Sequence, residues 1–207
     1  MLRRSFLVGG LGLPLAGCLE ESAPRKIWYR LTLTVETPEG TKVGSSVVRL
    51  VVGFNDGPLG WLAANRTRLM MKGEATVVDL GSRGFLFCLF PADRHRWGTN
   101  LRRMSYFQEY LPFTLFPQTD RTEPYTRYID RLVSTHREID LELKHLPLLV
   151  HFRDTNDPSS VERVDPFDLA QKFGPGVRLG SAHFEILKSP EPPPKGALLH
   201  AQWPNTG

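Results

Sequence analysis

Residues 27–35 constrain the fold more than any other stretch of the chain. Ile27, Tyr29, Leu31, Leu33 and Val35 alternate with Trp28, Arg30, Thr32 and Thr34. Successive side chains of a strand point to opposite faces, so this pattern predicts a half-buried strand with one apolar and one polar face. Thr37-Pro38-Glu39-Gly40 follows as a turn, with proline set for the bend and glycine free to take positive φ. Val43–Phe54 is rich in β-branched residues and reads as the returning strand, so the pair predicts an antiparallel hairpin. Asn55-Asp56-Gly57-Pro58 closes it.

A second hairpin is expected from Ala75–Leu80 and Phe85–Phe90, joined by Gly81-Ser82-Arg83-Gly84. Residues 59–72 are ambiguous, with Leu69-Met70-Met71 a possible extension of the third strand. Leu101, Met104, Phe107, Tyr110 and Leu111 recur at helical spacing, with Thr99 or Asn100 as cap and Pro112 as stop. Tyr125, Tyr128, Ile129, Leu132, Val133 and His136 repeat the pattern after Pro124, which suits a first helical turn. Leu148–Phe152 reads as a short strand. Asp165-Pro166-Phe167-Asp168 predicts a helix start, Phe173-Gly174-Pro175-Gly176 its end, and Val177–Leu187 a last strand. Strands before helices argue an α+β fold: a mainly antiparallel sheet from two N-terminal hairpins plus C-terminal strands, with two to three helices. The tail from Ser189, with Pro190, Pro192, Pro193 and Pro194, reads as extended.

The N-terminus has a different character. Arg3 and Arg4 precede ten largely apolar residues, Phe6–Leu15, too few for the ~20 that span a hydrocarbon core. Gly9, Gly10, Gly12 and Pro14 disfavour a stable soluble helix. The run ends in Leu15-Ala16-Gly17-Cys18, which resembles the lipobox of bacterial lipoproteins. That resemblance implies cleavage before Cys18 and acylation of its thiol. Arg3, Arg4, Phe6 and Leu7 resemble a twin-arginine export signal. Leu2 and Val8 depart from that pattern and leave the general secretory route open. Leu19 stands where Asp commonly retains lipoproteins in the inner membrane, so the resemblance implies sorting to the outer membrane, with the domain facing the periplasm. The organisation expected is a signal peptide (1–17), a lipidated tether (18–26), one α+β domain (27–188) and a Pro-rich tail (189–207).

Removing residues 1–17 leaves 190, enough for one domain with a real core. It also leaves 24 basic against 22 acidic side chains. This near-neutral balance, without a basic run, speaks against nucleic acid as a partner. Of the two cysteines, Cys88 lies in Phe85-Leu86-Phe87-Cys88-Leu89-Phe90 and reads as core. With Cys18 acylated, an intramolecular disulfide is excluded.

Three stretches together resemble an uncharacterised family of bacterial proteins, mostly seen in proteobacteria. They are Tyr29-Arg30-Leu31-Thr32 through Thr37-Pro38-Glu39-Gly40 to Gly44-Ser45-Ser46-Val47-Val48; Lys72-Gly73-Glu74-Ala75 with Val78-Asp79-Leu80-Gly81; and Phe152-Arg153-Asp154-Thr155-Asn156-Asp157-Pro158 through Val164-Asp165-Pro166 to Phe173-Gly174-Pro175-Gly176-Val177-Arg178-Leu179. The resemblance covers most of residues 27–188. It implies a single domain and a bacterial source, and brings no catalytic residues with it.

The richest oxygen cluster is Asp154-Thr155-Asn156-Asp157-Pro158. Asp154, Asn156 and Asp157 are candidate Ca²⁺ ligands, though the EF-hand's Gly and distant Glu are missing. The competing reading is a set of Asx turns that satisfy loop amides. His95, His136, His145, His151, His183 and His200 form neither H-x-H nor H-x-x-x-H, and HExxH is absent. Gly44-Ser45-Ser46 lacks the nucleophile elbow, and Gly174-Pro175-Gly176 lacks the Lys-Ser/Thr of a P-loop. Arg102 and Arg103 read as a solvated helix face. Trp61 and Trp97, with Arg66, Arg94 and Arg96, are contact candidates for a partner or an acidic lipid headgroup. No cofactor is implied.

The expectation is a membrane-anchored lipoprotein that binds or assembles at the membrane surface, with an envelope protein as a possible partner. Its alternatives are an anchored hydrolase or metal-dependent enzyme, and a small-ligand binding module. Convergent acids or histidines in one cleft favour the enzyme. A flat apolar patch rimmed with charge favours the binding reading.

Overall fold

The computed structural model describes residues 23–54, 67–89 and 111–189. Within them lie nine strands in two antiparallel sheets, with three short helices. The fold is therefore α+β with sheet predominating.

The alternating segment extends to β1 (Arg25–Thr37), which pairs along its whole length with β2 (Gly40–Phe54). Gly40 closes the turn at φ 121°, a conformation that costs glycine nothing. β3 (Thr67–Gly73) pairs with β2, whereas the sequence left this stretch undecided. Its own alternation explains the strand. Leu69 and Met71 pack against the core while Arg68, Met70 and Lys72 are exposed. Leu69-Met70-Met71 thus forms a separate strand and does not extend the third.

Only Glu74 and Ala75 separate β3 from β4 (Thr76–Asp79), yet the chain has passed to the other sheet. β4 pairs with β5 (Phe85–Leu89) across a 3₁₀ turn at Gly81–Arg83. Asp79 Oδ1 accepts the Gly81 amide at 2.8 Å there. After β5 come α1 (Leu111–Leu115), α2 (Tyr125–Ser134), β6 (Glu138–Asp140), β7 (Leu148–Phe152), β8 (Val161–Arg163), α3 (Ala170–Phe173) and β9 (Arg178–Leu187). The larger sheet runs β3-β2-β1-β9-β6 and the smaller β4-β5-β7-β8. The β1–β2 and β4–β5 pairs therefore belong to different sheets, where one sheet was expected.

Three local expectations need correction. Pro112 lies inside α1, in its first turn, where a missing N–H breaks no bond. The predicted helix over 101–111 otherwise lies outside the described residues. His136 does not continue α2: its φ is 44°, the left-handed conformation that follows many helix ends. Asp165 does not cap a helix, because its carboxylate accepts the Phe167 amide at 2.9 Å in a turn. α3 starts later, and Asp168 Oδ1 accepts Gln171 N at 3.1 Å. Gly174 ends α3 at φ 92°.

The core lies on the inner face of the larger sheet, built from Ile27, Tyr29, Leu31, Leu33, Val35, Val48, Leu50, Val52, Phe184 and Ile186. Two layers cover it. The first is helical: Phe116 approaches Phe184 at 6.1 Å between ring centroids, and Tyr125 approaches Phe54 at 6.4 Å. The Tyr128 hydroxyl donates to the Phe116 carbonyl at 2.5 Å, tying α2 to the end of α1. The second layer is the smaller sheet, whose Val78, Leu86, Cys88 and Leu149 join the same core. Between the sheets the buried hydroxyls of Ser46 and Thr76 bond each other at 2.6 Å, so neither is left unsatisfied. A second apolar cluster, Phe87, Leu148 and Val150, lies on the smaller sheet's other face.

Candidate functional site

Alternation places on the outer face of the larger sheet everything that the core does not take. From β1 come Lys26, Trp28, Arg30 and Thr32; from β2, Ser45, Val47, Arg49 and Val51; from β3, Arg68, Met70 and Lys72. β9 adds His183 and Glu185, and β6 adds Glu138 and Asp140. Register then assembles rows across the strands. Lys72 lies opposite Arg49, and Arg49 opposite Trp28. Arg30 lies between Val47 and Glu185, with Glu138 beyond. Thr32 lies between Ser45 and His183, with Asp140 beyond.

The face is electrically divided. Its β6–β9 side carries Glu138, Asp140 and Glu185, and Arg30 forms an ion pair with Glu185. His183 Nδ1 lies 2.8 Å from Asp140 Oδ1, and Nε2 lies 3.6 Å from Glu138 Oε2. The hydrogen bond to Asp140 is the main cause of an upward shift of the imidazole pKa from 6.5, supplemented by the charges of Asp140, Glu138 and Glu185. A hydroxyl, an imidazole and a carboxylate in one row suggest nucleophilic catalysis, but the geometry does not support it. The second ring nitrogen faces Glu138, while the Thr32 hydroxyl lies 3.2 Å from that of Ser45. The cluster instead ties the edge strand β6 to β9.

The sign of its pH dependence follows. A raised folded pKa contributes stability that is fully present below 6.5 and is lost as pH rises through the folded value. Thermal melts between pH 5 and 9 should therefore show a loss as pH rises above 6.5, and Asp140→Asn should shrink it. A melting curve indifferent to Asp140→Asn across that range would reject the coupling.

The β1–β3 side is basic. Arg49 and Lys72 are direct cross-strand neighbours, an arrangement that like charges disfavour. The Arg49 guanidinium lies over the Trp28 ring, 5.5 Å from its centroid. Its Nε is buried and, among the described residues, has no hydrogen-bond partner. Lys26 and Arg68 flank these two, and Met70 stands at the centre with 59% of its surface exposed. The larger sheet thus presents one exposed methionine among four cations.

The oxygen cluster after β7 is spent on its own loop. Asp154 Oδ1 accepts the Asn156 amide at 2.8 Å and its side-chain nitrogen at 3.2 Å. Asp157 Oδ1 accepts the Ser159 amide and hydroxyl at 2.8 and 2.7 Å. These bonds depress the Asp157 pKa, the Ser159 hydroxyl first among causes. Among the described residues no group of three or more His, Cys, Asp and Glu side chains could hold a metal ion. His151 Nδ1 lies 3.2 Å from the Phe85 carbonyl, and its ring meets Phe173 edge-on at 5.4 Å. Cys88 is buried, and desolvation raises its pKa far out of the thiolate range.

Cys18, the export signal Arg3, Arg4, Phe6 and Leu7, and Trp61, Arg66, Arg94, Arg96, Trp97, Arg102, Arg103, His95 and His200 all lie outside the described residues. The basic patch was only half visible in the sequence. Alternation put Trp28 on a polar face, but bringing Arg49 and Lys72 beside it needs the register of three strands. Comparisons with protein-family models, with curated proteins and with solved structures find no match to this chain. Among the described residues, no helix is long and apolar enough to cross a membrane.

Proposed function

We propose that this chain is a lipid-anchored protein of the bacterial cell envelope, whose domain works by binding or assembly at the membrane surface. One observation carries the binding half of this reading: Lys26, Arg49, Arg68 and Lys72 gathered around exposed Met70 on one face of the larger sheet. A cluster of like charges on one face attracts a surface of the opposite sign. The bonding of Asp154 and Asp157 within their own loop, and the pairing of His183 with carboxylates, leave these groups in structural roles.

Leu15-Ala16-Gly17-Cys18 supports the anchoring half. Two or more acyl chains at Cys18 hold a protein stably, at ~0.8 kcal/mol per buried methylene. Cys18→Ser should abolish both incorporation of radiolabelled palmitate and removal of residues 1–17. Unchanged labelling of Cys18→Ser would refute the anchor.

A further inference from the structure

We infer that the basic patch on β1, β2 and β3 is a docking face for anionic phospholipid headgroups, which lays the larger sheet against the bilayer. The inference deepens the membrane-surface reading and rests on it for orientation.

Charge complementarity is the first argument. Lys26, Arg49, Arg68 and Lys72 share one face, and among the described residues none of them is paired with a carboxylate. Their neighbours Arg25 and Arg30 are neutralised, by Asp130 at 2.8 Å and by Glu185 respectively. These cations thus fall into two sets: one spent on internal ion pairs, the other without a carboxylate partner among the described residues, with Lys26, Arg68 and Lys72 exposed and Arg49 half-buried over Trp28. Arg49 and Lys72 stand directly opposite each other, where a fold under no other demand would place unlike charges. An anionic surface removes that repulsion.

The patch also has the amphipathic character that a headgroup layer accepts. Met70 is 59% exposed between Arg68 and Lys72, and its row continues through buried Val51 to exposed Lys26. Trp28 lies under the Arg49 guanidinium. Tryptophan favours the membrane interface, and Lys and Arg extend their heads to phosphates while their stems lie on apolar surface.

Position is the third argument. β1 begins at Arg25, and Lys26 and Trp28 belong to its first turns of alternation. Seven residues separate Cys18 from Lys26, and the eight steps between them reach at most ~28 Å from an acylated cysteine. Each cation near an anionic surface strengthens binding about fivefold. The acyl chains hold the protein at the membrane, so the patch has only to orient it.

The test uses the full-length chain carrying Cys18→Ser, which bears no acyl group, in flotation with phosphatidylcholine vesicles with and without phosphatidylglycerol. Apolar residues 6–15 and Arg3 and Arg4 contribute equally to every variant, so the readout is the change on substitution. The chain should prefer the phosphatidylglycerol vesicles at low salt. Arg49→Glu with Lys72→Glu should reduce that preference at least about tenfold. Lys42→Glu with Arg178→Glu makes the same charge change at the other end of the sheet, at the cost of the Arg178–Glu36 ion pair, and should leave the preference intact. Circular dichroism establishes that each variant is folded. The inference is overturned if vesicle composition makes no difference, if both variant pairs act alike, or if the patch pair abolishes binding to an acidic polypeptide but not to vesicles. Failure of the anchor would appear in palmitate labelling and leave this assay untouched.

Discussion

Gly44→Ala should destabilise the domain by about 3 kcal/mol. A methyl group there would meet the Val77 carbonyl oxygen at 2.0 Å, its carbon at 2.6 Å and Val78 Cγ2 at 2.9 Å. The first two are backbone atoms of β4, so no rotamer change relieves the clash. The two sheets would have to move apart where Ser46 and Thr76 share their buried hydrogen bond. Alanine also restricts the unfolded chain, which favours folding by about 0.4–1 kcal/mol. That gain is too small to offset the clash. At roughly 2–4 °C per kcal/mol for a domain of this size, the melting temperature should fall by about 6–12 °C. Gly53→Ala is the control, since its nearest neighbour would be Arg68 Cβ at 3.7 Å. Urea denaturation that places Gly44→Ala within about 0.5 kcal/mol of the parent would contradict so close an approach of the sheets.

Gly44 also marks where sequence reading reaches its limit. Residues 27–35 and 43–54 read as paired strands because each carries its own alternation and a turn joins them. Periodicity reports which face of a strand is apolar, not what lies against it. Hence the second sheet, and the need for glycine where it crosses the first, were invisible. β6 shows the same limit from another side. Glu138, Ile139 and Asp140 are all exposed and carry no apolar pattern. They form a strand because β9 offers them a hydrogen-bonding edge. β8 (Val161–Arg163) likewise owes its existence to β7. The loop at Asp154–Asp157 was legible in both its readings, because short polar side chains after a strand serve metal ions and backbone amides alike. The basic patch needed register, which no single strand contains. The proposed cleavage site and tether rest on motif alone, and their test is chemical.

Phe184→Ala should cost about 3–5 kcal/mol, the range for emptying a buried aromatic site. The Phe184 side chain is fully buried on β9, between the sheet and the helical layer. Its ring stacks on Tyr29 of β1 with centroids 5.0 Å apart and meets Phe116, just beyond α1, at 6.1 Å. Truncation would remove the ring that both contacts share. The Tyr29 hydroxyl, which lies 3.4 Å from Met71 Sδ, belongs to the same packing unit and links it to β3. The loss should therefore reach beyond β9 to the helices and to the inner side of β3, whose other face carries Arg68, Met70 and Lys72. Phe184→Leu keeps most of the volume and should cost roughly 1.5 kcal/mol or less, since near-isosteric apolar exchanges leave little cavity. The ratio of the two losses, measured by urea denaturation, separates packing from any demand for an aromatic ring. If Phe184→Ala costs under about 1 kcal/mol, α1 and α2 are not seated on this face of the sheet. If Leu costs as much as Ala, the stacking with Tyr29 and Phe116, not the filled volume, holds the helical layer to β9.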